Sequence, residues 1–187
     1  MSDFRTTTRR RFLEILGGLA LSSFATGLNF SPKRAVAAEP TPPENLSVSK
    51  ELLEKSPFVY ISPLLATGQE SSCHGELWFA WLDDSIVVNV ASDRWKATAL
   101  TRGLERARIW VGDHGRWKGM LGRRNEDFRA APHFDARVEK VDDESTLDRL
   151  LATYEKKYPD EIASWRDAMR SGVADGSRVL LRYKSVA

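Results

Sequence analysis

The stretch Ser85-Ile86-Val87-Val88-Asn89-Val90-Ala91 runs directly into Ser92-Asp93-Arg94-Trp95-Lys96-Ala97-Thr98-Ala99-Leu100. The first seven residues are rich in β-branched side chains, whose stiff χ1 suits an extended, pleated backbone. Asp83-Asp84 just ahead of them reads as a tight turn, so Ser85–Ala91 is expected to be the second arm of a hairpin. After Ala91 the period changes. Trp95, Thr98, Ala99 and Arg102 recur at three- and four-residue steps, the spacing of one helix face, and Gly103 is placed to close that helix as its C′ residue.

On the N-terminal side, Phe58–Ile61 with Leu64-Leu65 reads as a strand kinked at Pro63, and Cys73–Leu82 as the first arm of the hairpin. A short helix is expected over Lys50–Lys55. On the C-terminal side, Arg106–Val111 alternates, with Ala107, Ile109 and Val111 opposed to Arg108 and Trp110. Further strands are expected at Trp117–Leu121, Phe134–Val141 and Arg178–Tyr183. Helical spacing covers Asp143–Tyr158, capped by Asp143 or Ser145 with an apolar stripe of Leu147, Leu150, Leu151 and Tyr154, and then Pro159–Arg170. Short turns between strands favour antiparallel pairing. The fold class is therefore mainly β (α+β): a small antiparallel barrel of about six strands with a few flanking helices.

The 187 residues are 42% hydrophobic and 29% charged, a balance that fits one globular domain and excludes wholesale disorder. A single cysteine, Cys73, excludes an internal disulfide framework and a cysteine-based zinc site. The net charge of +2 hides an asymmetry, because residues 1–38 hold six basic and two acidic residues. The remaining 22 basic and 24 acidic residues leave the body slightly acidic, which argues against nucleic-acid binding.

Residues 1–38 have the parts of an export signal: Thr8-Arg9-Arg10-Arg11-Phe12-Leu13, an apolar run from Ile15 to Leu28, and Ala35-Val36-Ala37-Ala38. The paired arginines resemble the twin-arginine signal, with Glu14 where a lysine is usual. That resemblance implies engagement of the twin-arginine translocase, export of a folded chain, and a periplasmic or secreted location. Residues 39–55 are expected to be a proline-rich linker with the short helix, and 56–187 the folded domain.

The order of hairpin, Asn89-Val90-Ala91-Ser92-Asp93-Arg94-Trp95-Lys96-Ala97-Thr98-Ala99-Leu100 and following strand resembles the pyridoxamine 5′-phosphate oxidase-like, FMN-binding split barrel, and Tyr154-Glu155-Lys156-Lys157-Tyr158-Pro159 is similar to a helix segment frequent there. The resemblance spans roughly Pro57 to Tyr183. It implies a split barrel, a homodimer with the cofactor pocket along its interface, and oxidoreductase chemistry on FMN, or on deazaflavin or haem in some relatives. It leaves the small-molecule substrate and electron donor open. The other reading is a split barrel that binds a ligand or aids assembly without catalysis.

Candidate cofactor residues gather at the corner. A helix start offers free backbone N–H groups, Ser92 a hydroxyl, and Arg94 and Lys96 positive charge, which together suit a phosphate. The resemblance implies the lysine as a main phosphate contact. The plainer reading is that Ser92-Asp93 is an ordinary cap and the charges are solvated. Trp95 is expected to cover a flavin edge or to staple the helix to the barrel. Trp78 is a candidate for stacking on a flavin ring or for the barrel core, together with Phe79 and Trp81. Two departures weaken an FMN site: Ala99 stands where relatives often have asparagine or histidine, and Glu76–Trp81 holds no basic residue. His74, His114 and His133 have no metal-ligand spacing, and the Arg123-Arg124 and Arg129 group reads as a solvated loop or, alternatively, as a patch that meets an anionic substrate.

Overall fold

The structure, a computed structural model, describes residues 48–117 and 124–186. The export signal and most of the linker lie outside the described residues, as do the four residues after Trp117 in the expected strand there. Trp117 itself sits in a bend.

The described chain runs α1 (Lys50–Lys55), β1 (Val59–Pro63), β2 (Glu76–Leu77), β3 (Ala80–Leu82), β4 (Ser85–Ala91), α2 (Trp95–Thr101), β5 (Arg106–Val111), a 3₁₀ turn (Asp127–Ala130), β6 (His133–Val141), α3 (Glu144–Lys157), α4 (Pro159–Ile162), α5 (Arg166–Ala174) and β7 (Arg178–Ser185). All pairings are antiparallel, in the order β2-β1-β5-β6-β7-β4-β3. The two ends of that order, β2 and β3, are separated only by Trp78 and Phe79. The sheet therefore closes through the chain itself. The expected first hairpin arm is one bent strand that pairs with β1 at its start and with β4 at its end. Counted that way, the seven strands reduce to the expected six.

Side-chain alternation sorts the residues onto two surfaces. Val59, Ile61, Ile86, Val88, Val90, Ala107, Ile109, Val111, Ala136, Val138, Leu181 and Tyr183 point inward and form the barrel core. On the outer face Val87 and Leu180 pack under the helices with Leu147, Leu150, Leu151, Tyr154, Tyr158, Ile162 and Met169. Leu150 is completely buried there, and its truncation to alanine belongs to the class that costs about 2–5 kcal/mol. A third cluster on another outer face joins Tyr60, Trp110, Phe128 and Ala131.

Local signals explain the element ends. Asp143 caps α3 by accepting from the Thr146 N–H at 2.9 Å. Asp83 and Asp84 take φ of 50° and 53°, the left-handed turn that matches the twist of a two-residue hairpin. Gly103, at φ 79°, closes α2. Two expectations change. The helix expected over Pro159–Arg170 is broken after Ile162, where the Trp165 N–H bonds back three residues to the Ile162 carbonyl at 2.9 Å and tightens the turn. The cap of α2 is Arg94, with no side-chain bond, rather than Ser92-Asp93.

Candidate functional site

Four of the five sequence candidates lie at the β4–α2 corner, and the structure divides them. The Ser92 hydroxyl donates to the Ser177 carbonyl at 3.1 Å, and the Ser92 N–H reaches the same oxygen at 2.9 Å. Its donor is thus spent on tying the corner to the turn before β7. Arg94 is exposed, and its nearest carboxylate is Asp93 at 3.7 Å. These two do not converge.

Trp95 and Lys96 turn the other way, toward the segment that enters β2. The Trp95 indole N–H donates to Ser71 Oγ at 3.0 Å, and the Arg102 guanidinium lies over its ring at 5.2 Å. This is the stapling role. Lys96 extends past it until Nζ lies 2.6 Å from where a β-carbon on Gly75 would stand. The stem is half-buried and the ammonium is desolvated, which pushes its pKa down, with Cys73 opposing weakly. No carboxylate among the described residues lies within ion-pair distance of Nζ. The expected solvent-reachable charge is instead a packed one, because the missing side chain at Gly75 leaves room for it.

Beside Gly75 a cleft of about 220 Å³ is lined by Gly75, Glu76, Arg116 and Trp117. Glu76 accepts from the Trp117 N–H at 3.0 Å and lies 3.8 Å from the exposed Arg116. Glu76 also lines a second, larger cleft of about 430 Å³ that contains Trp78. Trp78 stacks on Tyr158 with centroids 4.5 Å apart and meets Tyr154 edge-on at 5.8 Å, so it does not join Lys96. Phe79 is fully buried in the barrel core, whereas Trp81 is half-buried against it.

A polar group behind Gly75 carries no separate signal in the sequence. His74 is buried between Trp110, Trp117 and Phe128, with Arg129 Nη2 3.2 Å from its Nε2. Arginine can only donate, so Nε2 accepts and the ring proton sits on Nδ1, which has no hydrogen-bond partner and lies 4.0 Å from Glu70. Burial first, and the Arg129 charge second, lower the His74 pKa below the ordinary imidazole range. Arg129 also binds Glu70 at 2.8 Å and Glu126 at 2.6 Å and lies over the Trp110 and Phe128 rings. Although exposed, it is therefore tied into a network of ion pairs and aromatic contacts. Arg108 extends the network from Glu70 to Asp135. Among the described residues no group of three His, Cys, Asp or Glu is placed to hold a metal ion.

No family model and no curated protein matches the chain. Solved structures do. A conserved hypothetical protein from Mycobacterium tuberculosis, Rv2991, is 17% identical with a TM-score of 0.52, over 79% of this chain and 86% of that one. HutZ, the heme storage protein from Vibrio cholerae, is 13% identical over 74% of this chain and 87% of that one, TM-score 0.49. A FAD-binding protein from Mesorhizobium loti is 15% identical over 75% and 91%, TM-score 0.46. Identities this low speak to architecture alone: the chain has a split-barrel-like fold, mainly antiparallel sheet with a few helices.

Proposed function

We propose that the protein binds a phosphate-bearing flavin or related cofactor, with Lys96 as the seat of the phosphate. The observation that carries this reading is the Lys96 ammonium, desolvated against Gly75, which itself lines a cleft, with no counter-ion among the described residues. A buried cation lacking an anion is costly, and a phosphate supplies that anion. The residues at hand fit such a group in part. Lys96 contributes charge, Trp95 fixed by Ser71 holds α2 in place, and Arg116 and Trp117 flank the cleft. In this reading Ser92, bonded to Ser177, and the exposed Arg94 take no part.

When bound, the flavin itself would supply hydride or electron transfer, and the chain's part would be to hold and orient it. The FMN and oxidoreductase readings rest on the sequence resemblance, as do the homodimer and an unidentified small-molecule substrate or electron donor. The twin-arginine motif supports export to the periplasm or medium. A non-catalytic split barrel is the second reading, favoured by the commitment of the Ser92 hydroxyl to Ser177 and by the outward Arg94.

Titrating the purified protein with FMN and with riboflavin, which lacks the phosphate, tests the reading. FMN is expected to bind about tenfold more tightly, a difference of roughly 1.4 kcal/mol. Equal affinities, or no binding of either, would contradict it.

A further inference from the structure

We propose that the larger cleft, between the outer face of the barrel and α5, binds a small planar molecule bearing a carboxylate or equivalent anionic group, with Arg178 as its charge partner and Trp78 and Tyr154 as its aromatic wall. The proposal is independent of the cofactor reading and uses none of the residues at the Lys96 corner.

The cleft, about 430 Å³, falls within the size range of small-molecule sites and is lined mainly by aromatic and apolar groups, among them Phe58, Trp165 and Met169. Its wall is built rather than left over. The Trp78 ring is pinned by stacking on Tyr158, and the Tyr154 hydroxyl donates to the Trp78 carbonyl at 2.7 Å. Trp165, half-exposed, stands at the rim. Rigid aromatic walls bind a flat apolar body at little entropic cost.

The polar feature is Arg178. Register places it opposite Ala91, on the same outer face as Asn89 and Leu180. Its stem is pressed against α5 at Gly172, where a β-carbon would stand 2.6 Å from Cγ and 2.7 Å from Cδ. Nε donates to Asn89 Oδ1, and Nη2 reaches the Asn89 carbonyl at 3.5 Å. The guanidinium is thus held in a fixed orientation. Yet among the described residues no carboxylate pairs with it and none accepts from Nη1. Arg182, four residues on along the same face, shows the contrast: it pairs with Glu139 at 3.3 Å and bonds Thr146 at 3.2 Å.

The neighbouring donor is also unmet, since Asn89 Nδ2 is buried without an acceptor. A buried donor of this kind costs about 1–3 kcal/mol, a cost that an apolar residue of similar shape at position 89 would avoid. Internal hydrogen bonding therefore does not account for this pair inside an aromatic cleft. An oriented guanidinium with a free edge matches a carboxylate. The one acid in the lining, Glu76, is committed to Trp117 and Arg116 on the other cleft.

Calorimetric titration of the full chain with 2-naphthoate and with uncharged 2-naphthalenemethanol tests this. The acid is expected to bind about tenfold more tightly than the alcohol. Arg178→Gln should abolish that preference, and Arg178→Lys should retain part of it. Arg166→Gln, which removes a cation from the start of α5 outside the cleft lining, should leave the preference intact. Equal affinity of the two probes for the unaltered protein, or no binding of the acid, overturns the proposal without reference to any variant. So does a preference that survives Arg178→Gln, or one that Arg166→Gln also removes.

Discussion

The Lys96 ammonium lies 2.6 Å from the point at which a Gly75 side chain would begin, so α2 and the segment entering β2 interlock through a missing β-carbon. The Gly75 carbonyl accepts from the Ile61 N–H at 3.1 Å, which fixes this point on the barrel. The cation is therefore positioned by the rigid sheet rather than by its own seven-residue helix.

Gly75→Ala is the direct probe of that interlock. The new methyl group meets the far end of a flexible side chain, which can swing away, so the fold should survive with a loss of no more than about 1 kcal/mol in urea unfolding. The displaced Lys96 should at the same time bind FMN several-fold more weakly. A large stability loss with unchanged FMN affinity would show that the glycine serves packing alone.

His74 predicts a pH dependence. Folding holds its pKa below the ordinary imidazole value of about 6.5, so on acidification the unfolded chain takes up a proton before the folded chain does. Its contribution to stability is complete above about pH 6.5 and is lost as the pH falls below that, with a limiting slope of about 1.4 kcal/mol per pH unit. His74→Gln should flatten the acid limb of a urea-unfolding profile measured from about pH 8 down to pH 5. Parallel acid limbs for the two proteins would refute the assignment.

Tyr158 holds the bend between β2 and β3 to the helices. Its hydroxyl donates to the Pro57 carbonyl at 2.6 Å and accepts from the Phe79 N–H at 3.2 Å. Tyr158→Phe keeps the stacking on Trp78 and leaves the buried Phe79 N–H and the partly buried Pro57 carbonyl unpaired, so a loss of about 1–3 kcal/mol is expected in chemical denaturation.

Asp84→Gly should act in the opposite direction. Asp84 sits at φ 53°, a conformation that costs an L-residue about 1–2 kcal/mol and glycine almost nothing. Asp83 is better left alone, because it binds Arg149 with both carboxylate oxygens at 2.7 and 2.8 Å. A gain of about 0.5–1 kcal/mol in urea unfolding is expected, smaller than the strain because glycine also loosens the unfolded chain.

What the sequence reveals depends on how local the cause is. The alternation of Ala107, Ile109 and Val111, the spacing of Leu147, Leu150, Leu151 and Tyr154, and the Asp143 cap are written within single elements, and they are found as expected. The break at Trp78-Phe79 has no local sign, because Glu76–Leu82 looks β-like throughout and the change of partner is set by distant strands. The burial of Lys96 depends on a glycine twenty-one positions upstream, and so escapes a reading of the helix alone. Asn89 did leave a trace, as an amide inside a β-branched run. Its partner Arg178 lies eighty-nine residues away and is brought to it by the β4–β7 register.

The most direct test of the central claim is the FMN-to-riboflavin affinity ratio measured on the unaltered protein and on Lys96→Met. If the phosphate sits on this ammonium, the ratio should be about ten in the first and close to one in the second, with riboflavin affinity little changed. A ratio that is the same in both proteins would contradict the claim.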